Sequence, residues 1–217
     1  MSSASSGKTG SKGRGSAQGE KNVTLGLFVL MLLGAVVFAW GLLASEEPLR
    51  AWQALHVNFL YWTGLAFAGA VIAAIFQITS SRWGLRVRRL AECSVALVPV
   101  SFVAYLGVIV GHHELAPAAQ HLEHLAPAKQ IWLEPAFLLW RDGLALLLLA
   151  ILAFSFVYYS IRVDLAAPPA GYRPPKNAVT RWIRAGFGTY GKEKARARRM
   201  QNLLAPILII TYAVVFS

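Results

Sequence analysis

HVNFLYWTGLAFAGAVIAAIFQITSSRWGLRVRRLAE, residues 56–92, contains a membrane crossing and the anchor that follows it. No charged residue occurs from Val57 to Ser81, and an α-helix needs about 20 apolar residues to cross about 30 Å of hydrocarbon. Arg82, Arg86, Arg88 and Arg89 follow directly. Charge is costly at the bilayer centre, and loops on the cytoplasmic side collect Lys and Arg, so this junction predicts which end of the helix faces inward.

Working outward, the whole chain has the same character. Of its 217 residues 56% are hydrophobic and 14% charged, with a mean hydropathy of +0.51, values that place it among integral membrane proteins. The net charge of +11 could suggest nucleic acid, but the basic residues lie in tails and short loops between apolar runs, so the charge is read as topology and no nucleic acid is expected. The lone Cys93 cannot form an internal disulfide and reads as a small packing residue.

Residues 1–22 are rich in Ser, Gly and Lys and predict a disordered cytoplasmic tail. A transmembrane domain is expected over 23–217, with spans at about 23–44, 57–81, 93–111 and 143–161 and an apolar run at 203–217 that reads as an interrupted fifth span. Small residues four apart on the second span, Gly64 with Ala68 and Gly69 with Ala73, predict close helix packing. Pro99 lies inside the third span and removes one helical hydrogen bond. The connection 112–135, with its apolar Leu122, Leu125, Ile131 and Trp132, predicts a short interfacial helix. The fold class expected is therefore an all-α integral membrane protein.

Basic residues test the layout. The tail holds four, the loop after the second span four and the loop after the fourth ten, against three on the other side, Arg50, Lys129 and Arg141. This alternation predicts a cytoplasmic N-terminus and places all five histidines at the outer face.

Motifs for soluble chemistry fail on context. Gly186-Phe187-Gly188-Thr189-Tyr190-Gly191 matches a dinucleotide fingerprint, but no strand precedes it, and Glu193 stands where a nucleotide phosphate loop needs Ser or Thr; a flexible loop is expected. Two haem-ligating imidazoles could come from His56 and from His112 or His113, and His121 with His124 and Glu123 could hold a metal, yet no attachment motif accompanies either set. Arg141 and Asp142 stand at the end of the fourth span. Because successive helical residues point about 100° apart, each is expected to find partners on other helices. They either anchor the interface beside Trp140 or form a carboxylate poised by a cation.

The stretches N58-F-L-Y-W-T-G-L, S81-R-W-G-L-R-V-R-R-L-A-E, W132-L-E-P-A-F-L-L-W-R-D-G and F156-V-Y-Y-S resemble the NrfD-like, or polysulfide reductase, membrane subunit family. Within that family the similarity points to the quinone-binding-type membrane subunits of quinol:cytochrome c oxidoreductase, alternative complex III. The resemblance covers Val23 to Ser217 and corresponds to the first of two four-helix bundles, preceded by an N-terminal helix, so a fragment or a split subunit is expected. It implies a bacterial inner-membrane protein of the respiratory electron transport chain, a subunit of an oxidoreductase complex that is not expected to be catalytic alone. It also implies iron–sulfur and haem subunits and a homologous membrane subunit as partners, quinol as substrate of the complex, and no cofactor bound by this chain. Asp142, Arg141, His56, Asn58 and Tyr61, with His112 and Glu134 behind them, are the residues expected to line an outer quinone and proton region. A haem-binding membrane cytochrome and half of a secondary transporter are the competing expectations.

Overall fold

The computed structural model describes residues 12–43, 48–80, 84–111, 134–166 and 177–216. Among them there are helices and no strands: α1 (Lys12–Leu43), α2 (Pro48–Ile78), α3 (Leu85–Cys93), a 3-10 turn (Ser94–Leu97), α4 (Val98–Val110), α5 (Pro135–Ala166), α6 (Ala178–Arg184) and α7 (Tyr190–Val215). Among the described residues four segments are long and apolar enough to cross a bilayer, Asn22–Leu43, Leu49–Ile78, Val87–Val110 and Pro135–Leu165. The protein is an all-α, multi-pass membrane protein. The apolar run that starts at Leu203 forms the C-terminal half of α7.

Two compact units divide at Gln53 and Ala54. In the first, α1 begins at Lys12, well before the apolar run, and its end meets the start of α2: Phe38 and Trp52 pack edge to face at 6.0 Å, and a Cβ on Gly41 would lie 3.4 Å from Ala51.

The second unit has one core, to which α2, the 3-10 turn, α4, α5 and α7 all contribute. On α2 the buried positions Ala66, Phe67, Ala70, Ala73 and Ala74 are mostly small, so neighbouring backbones can approach. Gly69 is the tightest point, where a Cβ would fall 2.7 Å from the Ala91 carbonyl and closer still to Ser94 Oγ. The Ser94 hydroxyl uses that space to donate to the Ala66 carbonyl at 2.8 Å. On α5, Leu146, Leu149, Ala153, Phe156 and Ser160 recur at helical spacing along the buried side.

The third crossing is not one uniform helix. Pro99 has no N–H to give the Val95 carbonyl, its partner four residues back. The Val98 N–H bonds Val95 instead, across three residues, and the chain tightens into the 3-10 turn before α4 resumes with Pro99 in its first turn. The missing bond is thus absorbed by a local change of winding.

Candidate functional site

Between α4 and α5 lies a cleft of about 460 Å³, within the usual range for small-molecule pockets. Tyr105 and Ile109 line it from α4, and Ala136, Leu139, Trp140, Gly143, Leu144 and Leu147 from α5. Apart from the phenol and the indole, the walls are aliphatic. Gly143 makes room here: a Cβ would stand 3.0 Å from the Tyr105 hydroxyl, so glycine lets the ring lie against α5 and its hydroxyl donate to the Leu139 carbonyl. Trp140 remains 73% exposed at the mouth, which therefore opens outward from the bundle.

The charged pair sits between two lining residues in sequence, Trp140 and Gly143. Arg141 Nε and Nη2 both reach Asp142 Oδ1, each at 3.0 Å. This corrects the expectation that the two would pair only with other helices. Although their Cβ atoms diverge, the long arginine stem curls back far enough to close the contact. Asp142 is also near enough to Tyr105 to act on its phenol electrostatically.

Behind Tyr105 the aromatic contacts continue to α2, with Phe59 5.7 Å from Tyr105 and His56 6.4 Å from Phe59, measured between ring centres. The His56 Nδ1 is buried without a hydrogen-bond partner, as is the Thr63 hydroxyl seven residues further along the helix. Unsatisfied buried polar atoms are uncommon and mark places where a ligand or water can be accommodated. The other expected residues stand elsewhere. Asn58 donates to its own helix at the Ala54 carbonyl, 2.8 Å away, while Tyr61 is exposed and packs on Trp62. Glu134 is exposed ahead of α5, its carbonyl accepting from the Leu138 N–H at 2.9 Å. His112 lies outside the described residues, as do His113, His121, His124 and Glu123. Among the described residues no cluster of three or more His, Cys, Asp or Glu could hold a metal.

The opposite, basic end of the bundle is joined by two polar networks that sequence reading did not anticipate. In the first, Glu92 is 6% exposed and accepts from Arg88 Nε at 2.9 Å, from Arg89 Nη1 at 2.6 Å and from the Ser160 hydroxyl at 2.7 Å. Arg89 also reaches Asp164 at 2.7 Å, and Arg88 donates to Gln77, which in turn donates to Asn202 at 2.9 Å. Helices α2, α3, α5 and α7 are thereby tied together. A buried carboxylate at such a place is tolerated only because several donors replace its water, and removing one partner of a buried pair typically costs about 3–5 kcal/mol. The sequence signal was present: Glu92 stands four and three residues after Arg88 and Arg89.

In the second network, Arg162 is 8% exposed and grips Glu193 through Nε at 2.8 Å and Nη2 at 3.2 Å, while Nη1 reaches the Tyr158 hydroxyl at 2.7 Å. The same guanidinium donates to the Gly186 carbonyl at 3.1 Å, and the Gly188 N–H donates to Glu193 at 3.2 Å. Gly186 has φ +70°, a left-handed turn suited to glycine. The glycine-rich segment, expected as a flexible loop, makes these contacts to Arg162 of α5 and Glu193 of α7. Arg162 first, then the Gly188 N–H, hold the Glu193 carboxyl below the ordinary glutamate range.

No protein-family model matches this chain, and neither the curated proteins nor the solved structures contain a match to it.

Proposed function

We propose that the chain is a membrane subunit of a bacterial respiratory quinol oxidoreductase complex, where it contributes to the quinone environment, the proton pathway and assembly. The observation that carries this reading is the α4–α5 cleft, with aliphatic walls and two aromatic rings, beside which the ion-paired Asp142 directly precedes the lining Gly143 in sequence. A quinol head is a flat ring with hydroxyls on an apolar tail, so it needs an apolar slot with a few polar groups at its margin. Oxidising it releases two protons, and Asp142, with His56 further in, supplies groups able to receive them. The NrfD-like sequence resemblance adds the expected company: iron–sulfur and haem subunits and a homologous membrane subunit.

Orientation belongs to the same proposal. Lys and Arg favour the end where α2 and α5 finish and α3 begins, which puts the N-terminus in the cytoplasm and the cleft toward the outer face of the inner membrane.

Affinity purification of the tagged chain from native membranes tests the reading. We expect haem absorption and iron–sulfur signals in the purified material, and a drop of about tenfold or more in quinol oxidation when Asp142→Asn removes the proton acceptor. Recovery of the chain without redox subunits, or unchanged quinol oxidation after its deletion, rejects the proposal.

A further inference from the structure

We infer that the basic end of the bundle holds a site for the phosphate headgroup of an anionic phospholipid. A cavity of about 360 Å³ opens there among α2, α3, α5 and α7. Four cations line it, Arg88 and Arg89 from α3 and Lys194 and Arg198 from α7. The first two are engaged by Glu92 and Asp164. Among the described residues Lys194 and Arg198 are paired with no carboxylate; Lys194 rests over the Tyr190 ring at 5.9 Å. The cavity thus carries more positive charge than its own carboxylates balance, and side-chain amides and hydroxyls of Gln77, Gln201, Ser80 and Ser160 stand beside the cations.

Its depth favours a lipid. Three crossings end at this level, with Ile78 closing the second, Val87 opening the third and Leu165 closing the fourth, so the cavity lies at the plane where phosphates of a bilayer sit. On α7, Lys194, Ala197, Arg198 and Gln201 share one face by their spacing of three and four, and the apolar half of that helix begins at Leu203. Phe76 and Val163 add apolar wall next to the cations, as acyl-linked glycerol would require and free phosphate would not. Basic pockets between transmembrane helices are where anionic headgroups bind.

Native mass spectrometry of the full chain in detergent tests this by titration with phosphatidylglycerol, phosphatidylcholine or inorganic phosphate. The wild type is expected to retain phosphatidylglycerol in preference to phosphatidylcholine. The double substitution K194Q/R198Q is expected to weaken that binding about tenfold or more, since it removes two of the four cations that line the cavity. The charge-matched control R181Q/K192Q, whose residues are exposed and do not line the cavity, is expected to leave it within about twofold. Equal losses in the two double variants, or none in either, overturn the site in favour of diffuse surface attraction. Binding of inorganic phosphate as strong as that of the lipid overturns the lipid assignment.

Discussion

Glu193 illustrates how a residue's role can be invisible in one dimension. In sequence it is only the residue that spoils a phosphate-loop match; in the fold its carboxylate closes the clasp from α7 to Arg162 and to the glycine turn. Its depressed pKa sets the sign of a pH effect. An unfolded glutamate titrates near about 4.3, so the clasp stabilises the fold fully above that value and loses its contribution as pH falls through the lower folded value. In thermal unfolding of detergent-solubilised protein, Glu193→Gln is expected to melt below the wild type at pH 7, and the gap to close only below about pH 4. A gap that stays constant down to pH 3 would show that the carboxylate's charge is not what holds the turn. Arg141 and Asp142 were legible as a charged pair at a span end, and their mutual contact was not, because side-chain length rather than backbone direction decides it. Tyr105 and Gly143 carried no signal at all, since their fit exists only once α4 meets α5.

Among the elements, the apolar runs were legible as helices, and four of them lie in helices long and apolar enough to cross a bilayer, because an uninterrupted apolar run has little alternative to a membrane helix. Their ends were less so. α5 extends from Pro135 to Ala166, beyond the uncharged core of 143–161, because Arg141, Asp142, Arg162 and Asp164 all find partners and need not terminate the helix. Proline in the third crossing has a consequence opposite to ordinary helix propensity. Replacing an interior proline by alanine usually strengthens a helix. Here Pro99→Ala would return an N–H to the Val95 carbonyl, relax the 3-10 turn and move α4 against α5. We expect a loss of about 1–3 kcal/mol, of the size that forced repacking costs in a core, measured by thermal or denaturant unfolding in detergent. A variant more stable than the wild type would mean the turn is dispensable.

At the scale of the whole molecule, composition and charge alternation were enough to read a multi-pass membrane protein, because both are properties of the solvent the chain must fit. Neither the cleft nor the buried networks could be read at that scale, since both depend on which helices are neighbours. The orientation gives a direct expectation. With cysteine introduced singly at Glu134 or at Arg181, both exposed, a membrane-impermeant maleimide applied to intact cells should label the first and spare the second until the membrane is opened. The reverse pattern would invert the topology and move the cleft to the inner surface. One short feature governs how the two ends of the bundle can both be satisfied by a single neighbour. Glu92 and Tyr105 are thirteen residues apart, and on an unbroken α-helix, at about 100° per residue, they would point about 140° away from each other. Four residues wound at about 120° each advance the screw by some 80° and bring the two to within about 60°. The 3-10 turn therefore acts as a phase corrector: it lets one rod present its acid at one end and its phenol at the other to the same partner, Ser160 and the Leu139 carbonyl of α5.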